Sequence, residues 1–469
     1  MLFSFSLLPP VVIDLIYQEN ALDAFLTAYL SLLAVGFLLW LPVKNSKSDL
    51  RLRDGFIVVV LFWVLLSVSG TLPLLLYDAL EISTTDAFFE SISGLTTTGA
   101  TVLTGLDTLP HSILFYRQEL QWLGGMGIIV LAVAVLPMLG IGGMQLYKAE
   151  TPGPIKDSKL TPRITETAKA LWYIYLTLTI LCGVSYWLAG MNVFDAITHS
   201  FSTVAIGGFS THDASLGYFD SVAIQIVAIV FMFLGGVNFA LHFVAFRNWN
   251  IKPYLQDSEF KVYFKVMLIV SAVVVIYLQF TEYTESLSES LILGIFHVVS
   301  IATTTGFATT EFHLWPNFLP VLLIFTSFMG GCAGSTGGGM KVIRIILLLK
   351  QGMREMMRLI HPKAVILVKI GKKPVANSVI DAVWGFVAIY FAVFIIMILL
   401  LMASGLDQIT AFSAVAATLN NLGPGLGDVA SNYAGVNDFA KWVLSFGMLL
   451  GRLEIFTLLV LLTPAFWRK

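Results

Sequence analysis

Charge and cysteine are both scarce in this chain. Asp, Glu, Lys and Arg make up 12% of its 469 residues, whereas a soluble domain carries about 25%. The two cysteines, Cys182 and Cys332, lie in apolar surroundings, which excludes a disulfide framework and a cysteine-based metal cluster. Hydrophobic residues make up 57% of the chain, in long runs such as GFIVVVLFWVLLSVSGTLPLLLY (55–77). About 20 apolar residues cross a bilayer as a helix, so we predict an all-α polytopic membrane protein.

Several functional motifs are also missing. The sequence has no GxGxxG after a strand and no GxxxxGK[ST], so it predicts no nucleotide site or other organic cofactor of its own. It has neither HExxH nor GxSxG, and the few acids at membrane depth lack a paired base, so an intramembrane enzyme is not expected. His199, His212, His242 and His297 show no metal-ligand spacing. No feature indicates nucleic-acid binding.

Basic residues collect in alternate gaps between the apolar runs. The candidate spanning segments are 22–42, 55–77, 113–140, 168–190, 220–246, 260–281, 317–350, 379–404 and 437–465. Gaps at 43–54, 148–169, 247–265 and 341–373 are rich in Lys and Arg, and the gaps between them hold acids. By the positive-inside rule the basic gaps are cytoplasmic, and only Arg117 and Lys441 depart from the pattern. The segment 1–17, interrupted by Pro9 and Pro10, predicts at most a partial or tilted helix.

Each external gap contains a further apolar stretch of about three helical turns. These stretches are 85–95, 194–204, 293–303 and 409–419. At 1.5 Å per residue such a helix crosses about half of a membrane, while both flanks of each gap must be external. We therefore predict four re-entrant loops, in which a half-helix enters and an irregular chain returns. Irregular backbone at that depth must be buried in protein or line a watery path.

The re-entrant loops repeat a common pattern. Their glycines are Gly99, Gly208, Gly306 and Gly423, separated by 109, 98 and 117 residues. A small residue precedes each glycine by six positions, and a second glycine follows 24–28 residues later, at Gly124, Gly235, Gly330 and Gly451. A preserved period of this length indicates four copies of one helix–loop–helix unit around a common axis.

Glycine and threonine at these positions suit a monovalent cation. Rings of neutral carbonyl oxygens can replace the water of such an ion without trapping it, and glycine adopts the positive φ that presenting those carbonyls requires. The C-terminal ends of the half-helices add partial negative charge. No acid occupies the loop cores, which argues against a divalent ion. The alternative is that glycine and threonine serve only close helix packing, which is common in membranes.

Five phrases resemble a known family. FFESISGLTTTGAT, LQWLGGMGIIVLAVAVLPMLGIGGMQLY, FSTVAIGGFSTHDAS, GGCAGSTGGGMKVIRI and TLNNLGPGLG are similar to the TrkH/TrkG-type subunits of bacterial potassium uptake systems, in the Trk/Ktr/HKT superfamily, from about residue 20 to the C-terminus. The resemblance implies four helix–pore loop–helix repeats around a pseudo-fourfold pore, after N-terminal extra helices. It implies the divisions 1–54 (extra helices), 55–147, 148–250, 251–373 and 374–469 (repeats one to four).

The resemblance also implies the filter. Its glycines are the four named above, and its carbonyls come mainly from Thr97, Thr98, Ile206, Gly207, Thr304, Thr305, Asn421 and Leu422. The fourth loop, NNLGPG, departs from the others, which suggests an imperfect fourfold filter. Superfamily members with serine at the first filter position tend to carry sodium, so Gly99 favours potassium.

A gate is expected beneath the filter. Residues 330–339, GGCAGSTGGG, cannot form a stable helix interior, and the resemblance implies a mobile gate loop there, with Gly330, Gly331, Gly334, Gly337, Gly338 and Gly339. The alternative is a flexible packing bend. An intramembrane arginine usually faces a cavity or a partner, so Arg452 is expected to project into the pore and repel cations. Its alternative role is a structural ion pair with Glu454 or another partner.

The expected function is potassium transport across the bacterial inner membrane through a gated, channel-like pore. The resemblance implies a homodimer and a cytosolic TrkA-type regulatory ring that binds NAD, ATP or ADP, docked on the basic stretch between Lys341 and Lys373. The positive-inside signal and anionic lipid explain that stretch equally well. The alternative function is a proton- or sodium-coupled carrier with alternating access, although such carriers usually show inverted repeats.

Overall fold

The computed structural model describes residues 1–45, 52–130, 164–371 and 373–468. Its labelled helices are α1 (Leu8–Tyr17), α2 (Leu22–Trp40), α3 (Leu52–Leu76), α4 (Thr84–Leu95), α5 (His111–Val130), α6 (Ile164–Leu188), α7 (Val193–Ala205), α8 (Val222–Gly235), α9 (Phe239–Asn248), α10 (Lys252–Gln256), α11 (Ser258–Phe280), α12 (Leu287–Thr303), α13 (Leu319–Ser327), α14 (Val342–Ile360), α15 (Asn377–Ala403), α16 (Gln408–Leu419), α17 (Asp438–Arg452), α18 (Phe456–Leu462) and α19 (Pro464–Trp467). Short 3-10 turns at Leu2–Leu7, Asp78–Leu80, Leu106–Thr108, Ser215–Phe219, Phe312–Leu314 and Gly427–Val429 join several of them. The helical fold class predicted from the sequence is confirmed.

Two short strands lie in the basic stretch after α14. The strands β1 (Lys369–Ile370) and β2 (Lys373–Pro374) pair antiparallel, with Lys369 opposite Pro374 and Ile370 opposite Lys373. Sequence patterning did not predict this hairpin, because two residues per strand are too few for an alternating pattern.

The predicted half-helices are α4, α7, α12 and α16. Three of them have 12 or 13 residues and begin and end within one residue of the expected bounds. The remaining half-helix, α12, has 17 residues and begins at Leu287, six residues before the predicted start. Ser286 caps it by accepting a hydrogen bond from the backbone N–H of Glu289, a signal that lay outside the apolar stretch used for the prediction.

Five helices within the described ranges are long and apolar enough to cross a membrane. They are α2, α3 from Asp54, α6 from Ala168, α11 and α15. Two further predicted spans are bent pairs: α8 and α9 meet at 100°, and α17 and α18 meet at 118°. The predicted span 317–350 is interrupted between α13 and α14, and α5 is described only to Val130.

The second helix of a repeat is therefore broken in repeats two, three and four. From the sequence we predicted a break only in repeat three, where glycines accumulate. The break in repeat two follows Gly235 and ends at Asn238, whose side chain caps α9. In repeat four Glu454 and Ile455 adopt φ values of 57° and 54°. Neither residue type signals a left-handed turn, so the prediction of one uninterrupted span there was wrong.

The N-terminal segment is helical throughout Leu2–Tyr17, first as a 3-10 turn and then as α1. Pro9 and Pro10 stand in the first turn of α1, where a missing N–H breaks no helical hydrogen bond. The predicted boundary between repeats one and two, at 147/148, most of the basic gap 148–169, and Lys372 lie outside the described residues.

Candidate functional site

Polar caps fix the external ends of the half-helices. Ser83 accepts a hydrogen bond from the backbone N–H of Asp86 at the start of α4, and Asn192 does the same for Asp195 at the start of α7. Both carboxylates are in turn bonded by the capping side chain. Asp86 and Asp195 therefore take part in the N-terminal caps of α4 and α7.

Each half-helix ends in a loop with an unusual backbone. We call these loop one (95–101), loop two (205–211), loop three (302–310) and loop four (418–425). The four predicted filter glycines have φ values of 80°, 80°, 85° and 97°, at Gly99, Gly208, Gly306 and Gly423. The residues two positions earlier also have positive φ, between 51° and 71°, at Thr97, Ile206, Thr304 and Asn421. Three of these are β-branched, for which the left-handed region is a genuine outlier that the surrounding packing must hold.

The loops meet in a closed ring. A Cβ placed on any filter glycine would collide with the carbonyl oxygen of the residue before the glycine in the next loop. The pairs are Gly99 with Gly207, Gly208 with Thr305, Gly306 with Leu422, and Gly423 with Thr98. The contact runs from loop one to two, three, four and back to one, so the sequence repeat is also a cyclic arrangement in space.

The small residues six positions before the glycines have a backbone role. The carbonyl of Ser93 accepts the N–H of Thr98, and the equivalent bonds in the other loops have the same length within 0.1 Å, at 2.7–2.8 Å. Their acceptors are Ser202, Ser300 and Ala417. This bond turns the chain tightly back on the half-helix. It also orders the residue whose carbonyl lies against the glycine of the preceding loop.

The second glycines allow close helix packing. A Cβ on Gly124 would collide with the carbonyl of Leu95, and one on Gly451 with that of Leu419. Gly235 lies similarly near the carbonyl of Val204. In these repeats the second helix thus touches the end of the half-helix four residues before the filter glycine. Gly330 differs, because it contacts Gly338 inside the 330–339 segment.

The loops are braced in three ways. In loops one and three, threonine hydroxyls bond each other within the loop, as in Thr96 with Thr98 and Thr303 with Thr305, both at 2.8 Å. Loop four is braced against loop one instead: the Asn421 amide donates to the Thr98 hydroxyl at 3.0 Å. Loop two is held by side chains of α5, in particular Gln121. The fourfold arrangement is therefore imperfect in its side chains, although its backbone is regular.

A cavity of about 570 Å³ opens on the external side of the ring, and all four filter glycines line it. Arg117 lines this cavity and forms a fully buried ion pair with Glu90 at 2.7 Å, each side chain 1% exposed. Glu90 also accepts the Val102 N–H, and Arg117 donates to the Ser210 carbonyl. Glu90 therefore braces the chain where it leaves loop one. Arg117, an exception to the charge pattern, has an external acid as its partner.

The 330–339 segment lies directly beneath the ring. The N–H of Gly338 donates to the Thr304 hydroxyl at 2.7 Å, and that of Gly339 to the Asn420 carbonyl at 3.0 Å. Its other side is held by the carboxylate of Glu259, which accepts the N–H groups of Ala333 and Ile343. All of its predicted glycines thus lie in one non-helical segment that touches loops three and four.

Arg452 ends α17 and is 3% exposed. Its guanidinium donates to the carbonyls of Thr336, at 3.3 Å, and Gly124, at 2.8 Å. It therefore joins the 330–339 segment to α5. The ion pair shown for the neighbouring Glu454 is with Arg344, so a pair between Glu454 and Arg452 is not what the structure presents.

Relatives match the chain over its length. The model of the TrkH family, described as a cation transport protein, covers residues 21–469. The chain belongs to the TrkH family of cation transport proteins. It is 59% identical to the Trk system potassium uptake protein TrkH of Vibrio parahaemolyticus, over 100% of this chain and 97% of that protein. It is 53% identical to TrkH of Escherichia coli, over 100% and 97% respectively.

A solved structure agrees with this assignment. The crystal structure of the potassium transporter TrkH from Vibrio parahaemolyticus superposes with a TM-score of 0.93 at 56% identity, covering 100% of this chain and 97% of that one. The family is one of multi-pass membrane transporters, not of enzymes, and the predicted resemblance is confirmed.

The structure adds two features that the sequence did not predict. The residues two positions before the filter glycines were expected as carbonyl donors, but their left-handed backbone was not, because they share no side chain that signals it. Gln118 and Gln121 look like ordinary polar residues of a membrane helix. Intramembrane polar residues at spacing i, i+3 do indicate one helix face, and that signal was available in the sequence.

Proposed function

We propose that this chain carries potassium ions across the bacterial inner membrane, through a pore whose filter is the ring of loops one to four. The proposed ion ligands are the carbonyls predicted from the sequence, with Thr98, Gly207, Thr305 and Leu422 closest to the neighbouring glycines. The names of the relatives, which are potassium uptake proteins, support the choice of ion.

The cyclic contact between loops carries this proposal. Four backbone segments of one conformation, each against the next, can supply equivalent oxygens to an ion on their common axis. Neutral oxygens suit a monovalent ion that must also leave again. The external cavity supplies a path from water to the ring.

For the gate we propose the 330–339 segment together with Arg452. The segment stands beneath loops three and four, and Arg452 holds its Thr336 carbonyl. A positive charge close to the axis opposes cation passage until the segment moves. Because the segment has six glycines and no large side chain, its rearrangement displaces little packed volume.

Regulation is proposed to come from outside the chain, through a homodimer and a cytosolic TrkA-type nucleotide-binding ring. The basic side chains of α14 and the following hairpin offer a docking surface: Lys350, Arg358, Lys363 and Lys369 are all exposed. α14 continues directly from the proposed gate, so force on its cytoplasmic end would reach that segment.

Rubidium-86 uptake into proteoliposomes of the purified chain tests the function. We expect passive uptake that potassium inhibits more strongly than sodium does, and that changes when the nucleotide-binding partner and its nucleotide are added. Empty liposomes are the control. Absence of uptake with and without the partner would contradict the proposal.

A coupled carrier with alternating access is the second candidate, because the bends of 100° and 118° resemble the broken helices of such carriers. Dependence of rubidium uptake on an imposed proton or sodium gradient, at zero membrane potential, would favour the carrier over the channel-like pore.

A further inference from the structure

Residues 205–209 of loop two, AIGGF, have no hydrogen-bonding side chain of their own. In loops one and three the residue before the glycine is a threonine, whose hydroxyl is bonded within the loop. In loop two that residue is Gly207, and the partner position holds Ala205. The conformation is nevertheless the same, with Gly208 at φ 80°.

Gln121 of α5 takes the place of the missing threonine hydroxyls. Its side-chain amide donates to the Gly207 carbonyl at 2.6 Å, and its Oε1 accepts the N–H of Phe209 at 3.1 Å. The two bonds lie on either side of Gly208. Gln121 is fully buried, and a Cβ on Gly207 would collide with its amide group. Glycine at 207 is thus explained by a side chain from another helix.

Neighbouring residues of α5 extend the same contact. Gln118 donates to the Phe209 carbonyl at 3.1 Å, and Arg117 to the Ser210 carbonyl at 3.0 Å. These bonds lie progressively further from Gly208. Only Gln121 both donates to and accepts from the two residues that flank the filter glycine, within the described chain.

We propose that Gln121 is a specificity-determining positioning residue. It orients the Gly207 peptide group, whose oxygen lies against Gly99, and thereby sets the distance at which loop two meets an ion. The inference rests on the proposed potassium filter. It adds the residue that holds loop two of that filter in position. A carbonyl held by a donor keeps one lone-pair direction for the ion, whereas a free one turns to suit a smaller ion.

The Gln121→Met change tests the inference, because methionine has a similar length and makes neither bond. The measurement is the ratio of rubidium-86 to sodium-22 uptake in proteoliposomes, at matched amounts of folded protein. We expect the ratio to fall by about tenfold, since loss of an oriented hydrogen bond corresponds to about that factor in an equilibrium constant. Gln118→Met should lower the ratio less. Gln225→Met, a matched change on α8 outside the loops, should leave it unchanged.

A second route keeps the test valid if Gln121→Met does not fold. Gly207→Ala displaces the Gln121 amide from the loop side while α5 stays native, so it should lower the same ratio. The double variant that combines Gly207→Ala with Gln121→Ala removes the collision. It should lower the uptake ratio no further than the more severe of the two single variants does. If the fold-changes of the two single variants multiply in the double variant, the two residues act independently and the inference is overturned.

The outcomes separate the inference from the proposed function. If the wild-type chain takes up no rubidium, the potassium pore fails. If the wild type prefers rubidium over sodium and both Gln121→Met and Gly207→Ala keep that preference, the pore stands and the role of Gln121 is wrong. A fall in thermal stability without a change in the ratio would likewise reduce Gln121 to a packing residue.

Discussion

At the scale of single residues, the proposed filter depends on backbone conformations that most side chains disfavour. In each loop, glycine adopts a positive φ at one position without the steric cost of a Cβ. Two residues earlier, Thr97, Ile206 and Thr304 adopt a positive φ although they carry a Cβ. A left-handed residue with a Cβ costs about 1–2 kcal/mol. The loops therefore keep their shape only because the hydrogen bonds to the half-helices and the neighbouring loops hold it.

Replacing Gly99 should affect ion preference directly. In Gly99→Ser, the Cβ would meet the carbonyl of Gly207 while φ remains near 80°, so loops one and two must separate. We expect the rubidium-to-sodium uptake ratio to fall by about tenfold, equivalent to about 1.4 kcal/mol. Gly105→Ser, at a positive-φ turn of the external surface, is the matched control. An unchanged ratio in Gly99→Ser would remove loop one from the filter.

At the scale of elements, the broken second helices are the main departure from a simple pore-loop repeat. The 330–339 segment replaces a helix with a chain that bonds loops three and four, and Arg452 bonds that segment to α5. One side chain thus connects repeats one, three and four beneath the ring.

Removing this connection should open the pore. In Arg452→Ala the segment loses its bond at Thr336, and the proposed gate loses its positive charge. Because a unit charge beside the proposed path opposes a cation, we expect rubidium flux to rise by about tenfold or more, equivalent to about 1.4 kcal/mol. Arg452→Lys keeps the charge and should stay near wild type. Unchanged flux in folded Arg452→Ala would contradict the gating role.

A second element-level contact joins the external loops of repeats one and two. His212 lies between the carboxylates of Asp107 and Asp195, and its ring stacks on Tyr218 at 3.4 Å. Burial by itself lowers the pKa of His212, but the hydrogen bonds and charges of the two carboxylates outweigh it. The pKa is therefore raised above its ordinary value of 6.5.

The raised pKa predicts a pH dependence of stability. The protonated imidazole stabilises the folded state fully below the unfolded value of 6.5, and this contribution is lost as pH rises through the folded pKa. Between about pH 6 and about pH 9, the unfolding temperature should therefore fall by ~2 °C more in the wild type than in His212→Gln. Differential scanning fluorimetry in detergent measures both. Equal falls would show that the contact does not depend on this proton.

At the scale of the whole molecule, charge orients the chain in the membrane. The two basic residues that break the pattern are neutralised locally: Arg117 by Glu90, and Lys441 by Asp86 at 2.6 Å. Because their charges are paired, Arg117 and Lys441 weigh little against the orientation that the exposed basic residues of the predicted cytoplasmic gaps indicate.

Cysteine labelling tests this orientation. Cys182 and Cys332 are 0% and 1% exposed, so the wild-type chain should react little with a membrane-impermeant maleimide. In intact spheroplasts, Glu285→Cys should be labelled and Lys363→Cys should not, and both should react after lysis. Both positions are exposed in the structure. Labelling of the two variants from the same side would contradict the topology.

The membrane class, the four half-helices and the repeated loop glycines followed from the amino-acid sequence alone, because apolar length, alternating charge and a glycine period can be read along the chain without knowing its contacts. Only the tertiary structure decided how the loops are held. The order of the ring, the left-handed turn at Ile206, the break at Glu454 and Ile455, and the placement of Gln121 against Gly207 all depend on atoms distant in the chain. Such contacts arise from packing between repeats, and the residues that make them share no side-chain type from one repeat to the next.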